Sequence, residues 1–347
     1  MFLHYRDRHV DAGTGQGMTG WSAADRRPLG RTALEVSVLG LGTAPLGGLY
    51  AAVDEHDAIA TVQRAMELGL RLFDTAPLYG PGLAEARLGL GLRGVADSEV
   101  VVSTKVGRLL RADALPEPGQ VFQGVPPVHP VFDFTADGVA RSLEESLVRL
   151  GRDRVDIVHV HDPDDHGDQA LRDTLPALVR WRDEGVVGAI GVGMNQTAML
   201  TRFARETDID CLLLAGRYTL LDQSGSDELL PLCEARGIAV IIGGVFNSGL
   251  LADPQPGARY DYAPADHDVL ARARRLAEVC AAHEVPLKAA ALQFPLGHPA
   301  VACVLTGTRS AAELDENVRL LAHDTPTALW SALRAEGLIA HDVATPA

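Results

Sequence analysis

Short apolar runs alternate with longer amphipathic segments along this chain from Val36 onward. Runs that are apolar at nearly every position, such as residues 238–244, are typical of parallel strands buried on both faces of a sheet. Eight runs predict strands, and they cover residues 36–43, 71–76, 100–105, 155–162, 187–193, 209–216, 238–244 and 302–307.

The segments between these strands carry helical periodicity. In residues 135–150, the side chains of Val139, Leu143 and Leu147 recur every four positions, which places them on one apolar helix face. Strands that alternate regularly with helices predict a parallel α/β sheet. Eight such units favour a closed (β/α)8 TIM barrel with long loops at its carboxyl end. A doubly wound sheet is disfavoured, because Pro45 and the lack of a third glycine spoil the dinucleotide fingerprint after the first strand.

The domain boundaries follow from the limits of this pattern. We expect residues 27–335 to form one barrel and residues 336–347 to form a flexible tail. Residues 1–26 contain no apolar run typical of a signal peptide, and we expect them to be a disordered extension, with Met18 an alternative start.

Composition narrows the class of function. The chain has 347 residues, 47% of them hydrophobic, and a formal net charge of −15. Such acidity repels nucleic acid and anionic membranes, so we expect neither as a partner and favour a small-molecule substrate. The four cysteines lie far apart without metal-site spacing, which favours reduced thiols and a cytoplasmic location. The sequence gives no basis for an oligomeric state.

Four polar residues fall at or just beyond predicted strand ends, where barrel enzymes build their sites. They are Asp74, Tyr79, Lys105 and His161. A tyrosine has a pKa near 10, and a nearby ammonium group lowers that pKa, so that the phenol can exchange a proton with a substrate. A carboxylate would hold the lysine, and a neutral histidine would orient a substrate oxygen. We therefore expect acid–base chemistry on a carbonyl or alcohol, matched to hydride transfer.

Several residues near these strand ends have alternative interpretations. His159 and His161 share a strand face and form a pattern also found in metal hydrolases, but Tyr79 and Lys105 have no role there, so we expect no metal. Asp164 and Asp165 are expected to be solvated loop charges or a helix cap. Three aromatic residues in the long loop after the third strand, Phe122, Phe132 and Phe134, are candidates to line a substrate pocket.

The chain resembles the aldo-keto reductase superfamily over most of its length. The resemblance rests on LGRTALEVSVLGLGT at 29–43, FDTAPLYG at 73–80, STK at 103–105 and the strand that ends at His161. It implies an NAD(P)-dependent oxidoreductase with Tyr79 as general acid/base, tuned by Asp74 and Lys105, and with His161 orienting the substrate. A channel-associated, binding-only role is known among such relatives, but the complete set of four residues argues against it.

Within the superfamily the sequence resembles the sugar 1-dehydrogenases of L-fucose, D-threo-aldose and galactose, with pyridoxal 4-dehydrogenase as kin. The motifs are VHDPDDH at 160–166, GVGMNQ at 191–196 and IGGVFNSG at 242–249. They imply oxidation of an aldose hemiacetal at C1 to the lactone. The alternative is NADPH-dependent reduction of aldehydes or ketones by the same residues.

The resemblance also implies which residues contact the cofactor and the substrate. Gly243 stands where many members carry an aromatic residue that stacks on the nicotinamide, so Phe246 or Tyr218 would have to replace it. Glu313 stands where NADP users often place an arginine, which implies NAD, while Arg309 keeps NADP open. The implied cofactor contacts are Gly42, Thr43, Asn195, Gly249, Gly307, Arg309, Glu313 and Asn317, and the implied substrate contacts are Phe132, Asp162 and Phe246.

Overall fold

Eight parallel strands close into a barrel in the order in which they occur along the chain. A computed structural model describes residues 20–115, 121–261 and 263–347. This architecture confirms the predicted (β/α)8 barrel. The barrel strands are Leu39–Gly42 (β1), Leu72–Asp74 (β2), Val101–Val106 (β3), Ile157–His161 (β4), Ala189–Met194 (β5), Cys211–Ala215 (β6), Ala239–Gly243 (β7) and Val301–Gly307 (β8).

Helices surround the barrel and bury their apolar faces against it. The helix that follows β3 shows how the sequence sets the bounds, since Thr135 caps its first turn and Gly151 ends it in the left-handed conformation. The helices are Glu55–Glu67 (α1), Leu83–Gly91 (α2), Ala136–Leu150 (α3), Leu175–Asp183 (α4), Thr197–Glu206 (α5), Leu229–Arg236 (α6), His267–Ala282 (α7), Leu287–Gln293 (α8), Ala311–Leu321 (α9) and Thr327–Ala335 (α10). None of the helices in the described ranges is long and apolar enough to cross a membrane.

The predicted first strand is divided in two. Glu35–Ser37 pairs with Arg26–Pro28 as an antiparallel hairpin, and β1 begins only at Leu39. Leu29 and Val36 of this hairpin are completely buried against the first residues of the barrel strands. The hairpin therefore closes the amino end of the barrel and leaves the carboxyl end open for a site.

Both ends of the described chain pack on the barrel, unlike the flexible segments expected from the sequence. Residues 1–19, including Met18, lie outside the described residues. Ala23 is buried, and Trp21 lies against the guanidinium of Arg27 at 4.7 Å from its ring centroid. In the expected C-terminal tail, Leu338 and Val343 are buried. Apolar burial, which the sparse pattern of these segments did not reveal, accounts for the difference.

Two further hairpins stand at the open, carboxyl end of the barrel. The first pairs Arg108–Arg111 with His129–Phe132 after β3, and the second pairs Arg259–Tyr260 with Ala263–Pro264 after β7. They arise from the two long loops that the sequence placed after strand ends. These hairpins and the neighbouring loops form the walls of the site.

Candidate active site

A buried ion pair lies at the carboxyl ends of β2 and β3. The Nζ atom of Lys105 is 2.6 Å from Oδ2 of Asp74, and it also donates a hydrogen bond of 2.9 Å to the carbonyl of Thr75. Both charged side chains are almost completely buried, with only 1–2% of their surface exposed. Burial raises the pKa of Asp74, and Lys105 opposes that rise. Burial alone would lower the pKa of Lys105, but the Asp74 carboxylate and Tyr79 raise it above its ordinary value, so the ammonium persists.

Tyr79 lies beside this pair on the loop after β2. The Nζ atom of Lys105 is 4.6 Å from the centroid of the Tyr79 ring. The turn that places Tyr79 needs Gly80, which has φ +58 and whose Cβ, if present, would lie 2.1 Å from the carbonyl oxygen of Gly47. Burial raises the pKa of Tyr79 by more than Lys105 lowers it, contrary to the direction expected from the sequence. At neutral pH the phenol therefore keeps its proton.

His161 ends β4 on the other side of Tyr79. The two rings meet edge to face with centroids 5.8 Å apart. Burial, assisted by the positive charge of Arg108, holds the pKa of His161 well below its ordinary value, so the imidazole is neutral. Its Nε2 atom is 3.4 Å from Oδ2 of Asp162, which also accepts a hydrogen bond of 3.0 Å from Arg108. The structure thus brings all four predicted residues together as one group.

A larger cavity of about 550 Å³ opens beside this group, between β1 and the ends of β6, β7 and β8. Most residues predicted to contact a cofactor line it, namely Gly42, Asn195, Gly249, Gly307, Arg309, Glu313 and Asn317, together with Phe246. Thr43 does not line it. Its hydroxyl is buried and donates to the carbonyl of Asp74 at 3.0 Å, so Thr43 fixes the backbone of the ion pair instead.

Glycines and paired charges characterise the wall of the larger cavity. Gly243 and Gly244 expose backbone at the end of β7, where most side chains would narrow the cavity. At the far end, Glu313 accepts hydrogen bonds of 2.8 Å from both the backbone and the guanidinium of Arg309. The carboxylate of Glu313 and the guanidinium of Arg309 are therefore paired at the position where the sequence left NAD and NADP as alternatives.

The aromatic candidates occupy different places. Phe246 lines the larger cavity, with Nζ of Lys288 5.7 Å from its ring centroid. Tyr218 does not line it, because its ring packs against Phe294 at 5.1 Å in the layer outside the barrel. Phe132 lines neither the larger cavity nor the smaller one that adjoins it. It is 44% exposed and lies over the guanidinium of Arg108 at 4.7 Å, on the outer side of the site.

A smaller cavity of about 410 Å³ adjoins the larger one, and Tyr79 lines both. Phe122 forms part of its wall, as considered from the sequence, whereas Phe134 is buried elsewhere. Arg108, Asp162 and Asp164 give the smaller cavity its charged side. Sequence reasoning missed Arg108, although its place three residues after Lys105 at a strand end was a usable signal.

Comparison with known proteins places this site in a family. The sequence pattern of the aldo/keto reductase family matches residues 38–335. A pyridoxal 4-dehydrogenase from Microbacterium luteolum is 42% identical over 341 residues, which cover 91% of this chain and 98% of that protein. A D-threo-aldose 1-dehydrogenase from a Pseudomonas species is 41% identical over 314 residues, with 88% and 95% covered.

Solved structures give the same placement. The holo form of an aldo-keto reductase from Bacillus halodurans superposes with a TM-score of 0.72 at 27% identity, covering 92% of this chain and 98% of that one. Among sequence relatives, an L-galactose dehydrogenase from Arabidopsis thaliana is 34% identical over 299 residues, with 84% of this chain and 86% of that protein covered. The similarity therefore extends across the barrel.

The burial of the ion pair leads to a stability prediction. Asp74→Ala leaves the Lys105 ammonium buried and unpaired, so we expect the free energy of unfolding to fall by about 3–5 kcal/mol in urea titrations. Asp74→Ala combined with Lys105→Met should recover part of that loss. As a control, Glu278→Ala removes an exposed partner of Arg275 and should cost less than about 1 kcal/mol. Equal stability of the single and double variants would contradict this account.

Proposed function

The chain belongs to the aldo/keto reductase family, an oxidoreductase family that uses nicotinamide cofactors, and we propose that it oxidises an aldose hemiacetal at C1 to the lactone. One observation carries this proposal: Tyr79 lines both cavities, next to the buried ammonium of Lys105. A substrate in the smaller cavity and a cofactor in the larger one would thus meet at the phenol.

The larger cavity fits a nicotinamide dinucleotide in its chemistry. The glycines at the end of β7 leave a cradle for a flat ring beside Tyr79, and the Oδ1 atom of Asn247 is buried there without a partner among the described residues. Lys288 and Arg309 offer positive charge for phosphates, and Asn195 offers an amide for a carboxamide. When bound, the nicotinamide would supply the hydride acceptor.

The chain's own residues carry the proton transfer. Tyr79 as phenolate takes the proton of the anomeric hydroxyl, while C1 loses a hydride and becomes the lactone carbonyl. Lys105 stabilises the phenolate, and Asp74 holds Lys105 in place through the 2.6 Å contact. His161 is neutral, so it orients the substrate oxygen by a hydrogen bond without competing for its proton.

The smaller cavity suits a polyhydroxylated ring. Asp162 and Arg108 present an acceptor and donors for hydroxyl groups, and Phe122 presents an apolar face 6.4 Å from Tyr79. The similarity of the chain to a D-threo-aldose 1-dehydrogenase and an L-galactose dehydrogenase supports a sugar in this place. Asp162, with φ +41, adopts a strained backbone conformation that is often kept at functional sites.

We propose NAD as the preferred cofactor. Glu313 lines the larger cavity, and a carboxylate there repels a 2′-phosphate and accepts from a ribose hydroxyl. Its pairing with Arg309 weakens the repulsion, which keeps NADP as the alternative. All four cysteines are free and buried, which supports a reducing, cytoplasmic setting for the enzyme.

A second candidate function is reduction of an aldehyde or ketone with NADPH. The raised pKa of Tyr79 favours it, because a protonated phenol is the form that donates a proton to a carbonyl oxygen.

Absorbance of reduced nicotinamide distinguishes the two candidates. Purified protein is mixed with NAD or NADP and with L-fucose, D-arabinose, L-galactose, D-galactose or pyridoxal. We expect the absorbance to grow with at least one aldose and faster with NAD. No rise in absorbance with any sugar, together with consumption of NADPH in the presence of simple aldehydes, would overturn the proposal in favour of the reductase.

Removal of the Tyr79 hydroxyl tests the assigned acid–base role. We expect Tyr79→Phe to lower kcat at least about a hundredfold, the usual scale of general acid–base catalysis, and to leave the Kd of the nicotinamide cofactor unchanged. Tyr218→Phe is the matched control, since Tyr218 lines neither cavity and its hydroxyl bonds the carbonyl of Ala344 in the part of the chain that the structure describes. Near wild-type kcat in Tyr79→Phe would show that another group exchanges the proton.

A further inference from the structure

Three buried side chains that the proposed function does not use extend from Asp74 into the barrel interior. The Ser103 hydroxyl is 2.9 Å from Oδ1 of Asp74 and 3.2 Å from Nδ1 of His159. The Nε2 atom of His159 is in turn 3.5 Å from Sγ of Cys211. All three side chains are fully buried. We call Ser103, His159 and Cys211 the interior chain.

The order of donors and acceptors in the interior chain is determined at one end by Asp74. An ionised carboxylate only accepts hydrogen bonds, so the single hydroxyl proton of Ser103 goes to Asp74. Ser103 then has only lone pairs to offer His159, which must donate from Nδ1. A neutral imidazole has one N–H, so its Nε2 atom can only accept, and the nearest donor is the Cys211 thiol. That thiol is 3.5 Å from Nε2 and farther, 3.8 Å, from the carbonyl of Ile190.

The protonation states needed for this order hold over the working pH range. Burial, with a smaller contribution from Lys105, lowers the pKa of His159 to about 3, so the ring stays neutral. Burial raises the pKa of Cys211 well above its ordinary value, so the thiol keeps its proton. The other titratable groups facing Asp74 are Lys105, Tyr79 and the thiol of Cys303 on β8.

The barrel makes room for the imidazole at a glycine. Gly191 on β5 lies between His159 and Cys211 in the strand register. A Cβ at Gly191 would come within 2.9 Å of Cδ2 of His159 and 2.1 Å of the carbonyl oxygen of Cys211. The ring is therefore held between β4, β5 and β6, with little freedom to turn.

We propose that Ser103, His159 and Cys211 are positioning residues, which orient the Asp74 carboxylate by a one-directional series of hydrogen bonds and thereby hold Lys105 against Tyr79. The inference rests on the proposed role of Tyr79 and Lys105. Without the Ser103 donor, Asp74 loses one of its two side-chain partners, and the charge that places the ammonium is less well stabilised.

The test compares variants that break the interior chain with variants that preserve it. Ser103→Ala and His159→Leu break it. Ser103→Thr keeps a hydroxyl donor to Asp74, and Cys211→Ser replaces the thiol donor to His159 with a hydroxyl donor. We expect the breaking variants to lower kcat for the sugar by about 10–100-fold, the scale of a lost hydrogen bond to a charged group, with KM and cofactor Kd nearly unchanged. Ser103→Thr should restore most of the rate.

A pH profile separates positioning from mere packing. Ser103→Ala removes the donor to Asp74, and His159→Leu removes the partner that fixes the Ser103 hydroxyl. In both variants Lys105 should stabilise the phenolate less well, so the alkaline rise of the oxidation rate should move to higher pH. Cys303→Ala is a matched control for Cys211→Ala, because Cys303 is also a buried barrel cysteine that faces Asp74. Within the described residues its thiol bonds the carbonyl of Val304 and no member of the interior chain. We expect a shifted profile in Cys211→Ala and an unchanged one in Cys303→Ala.

The outcomes are distinct. A wild-type pH profile and wild-type kcat in folded Ser103→Ala would overturn the inference, even if Tyr79→Phe is inactive. Activity that persists in Tyr79→Phe would instead overturn the proposed function. If His159→Leu does not fold, the pH profiles of Cys211→Ala and Cys303→Ala are compared instead. Equal pH profiles for these two variants would overturn the inference.

Discussion

The buried contact between Lys105 and Asp74 is the interaction on which the rest of the site depends. An ammonium and a carboxylate inside a barrel are costly to desolvate, and they persist only because each has several partners there. Lys105 bonds Asp74 and the carbonyl of Thr75, and the hydroxyl of Thr43 fixes the Asp74 backbone. The barrel topology places both residues at neighbouring strand ends, next to Tyr79.

Two adjoining cavities meet at Tyr79, next to the ion pair. On its own a buried phenol is a weak acid whose burial raises its pKa further. Next to a fixed cation, the phenolate form becomes reachable during proton transfer. Under the proposed function, the fold combines a proton donor and acceptor with separate places for a nicotinamide and a sugar, and the loops after β3 and β7 shape those places.

Much of this arrangement could be predicted from the sequence. The eight apolar runs predicted the barrel, and the strand ends predicted the grouping of Asp74, Tyr79, Lys105 and His161, because parallel strands end at one face. The predicted lowering of the Tyr79 pKa was wrong, because burial raises that pKa by more than the Lys105 ammonium lowers it. The spacing of residues along the sequence does not reveal how deeply Tyr79 is buried.

Features that depend on loop conformation or packing could not be predicted. Phe132 lies outside both cavities because its hairpin turns it onto Arg108. The packing of Leu338 and Val343 on the barrel arises from contacts between distant segments. The link from His159 to Asp74 through Ser103 depends on the register between neighbouring barrel strands, which the sequence does not specify.

The pH dependence of kcat/KM for sugar oxidation, at saturating cofactor, tests the central claim most directly. Tyr79 must lose its proton to act as base, and burial raises its pKa, so the account predicts a rate that rises about tenfold per pH unit between pH 7 and about 9. Reduction of the same product should be nearly constant over that range. An oxidation rate that is flat or falls with pH would contradict a phenolate base beside Lys105.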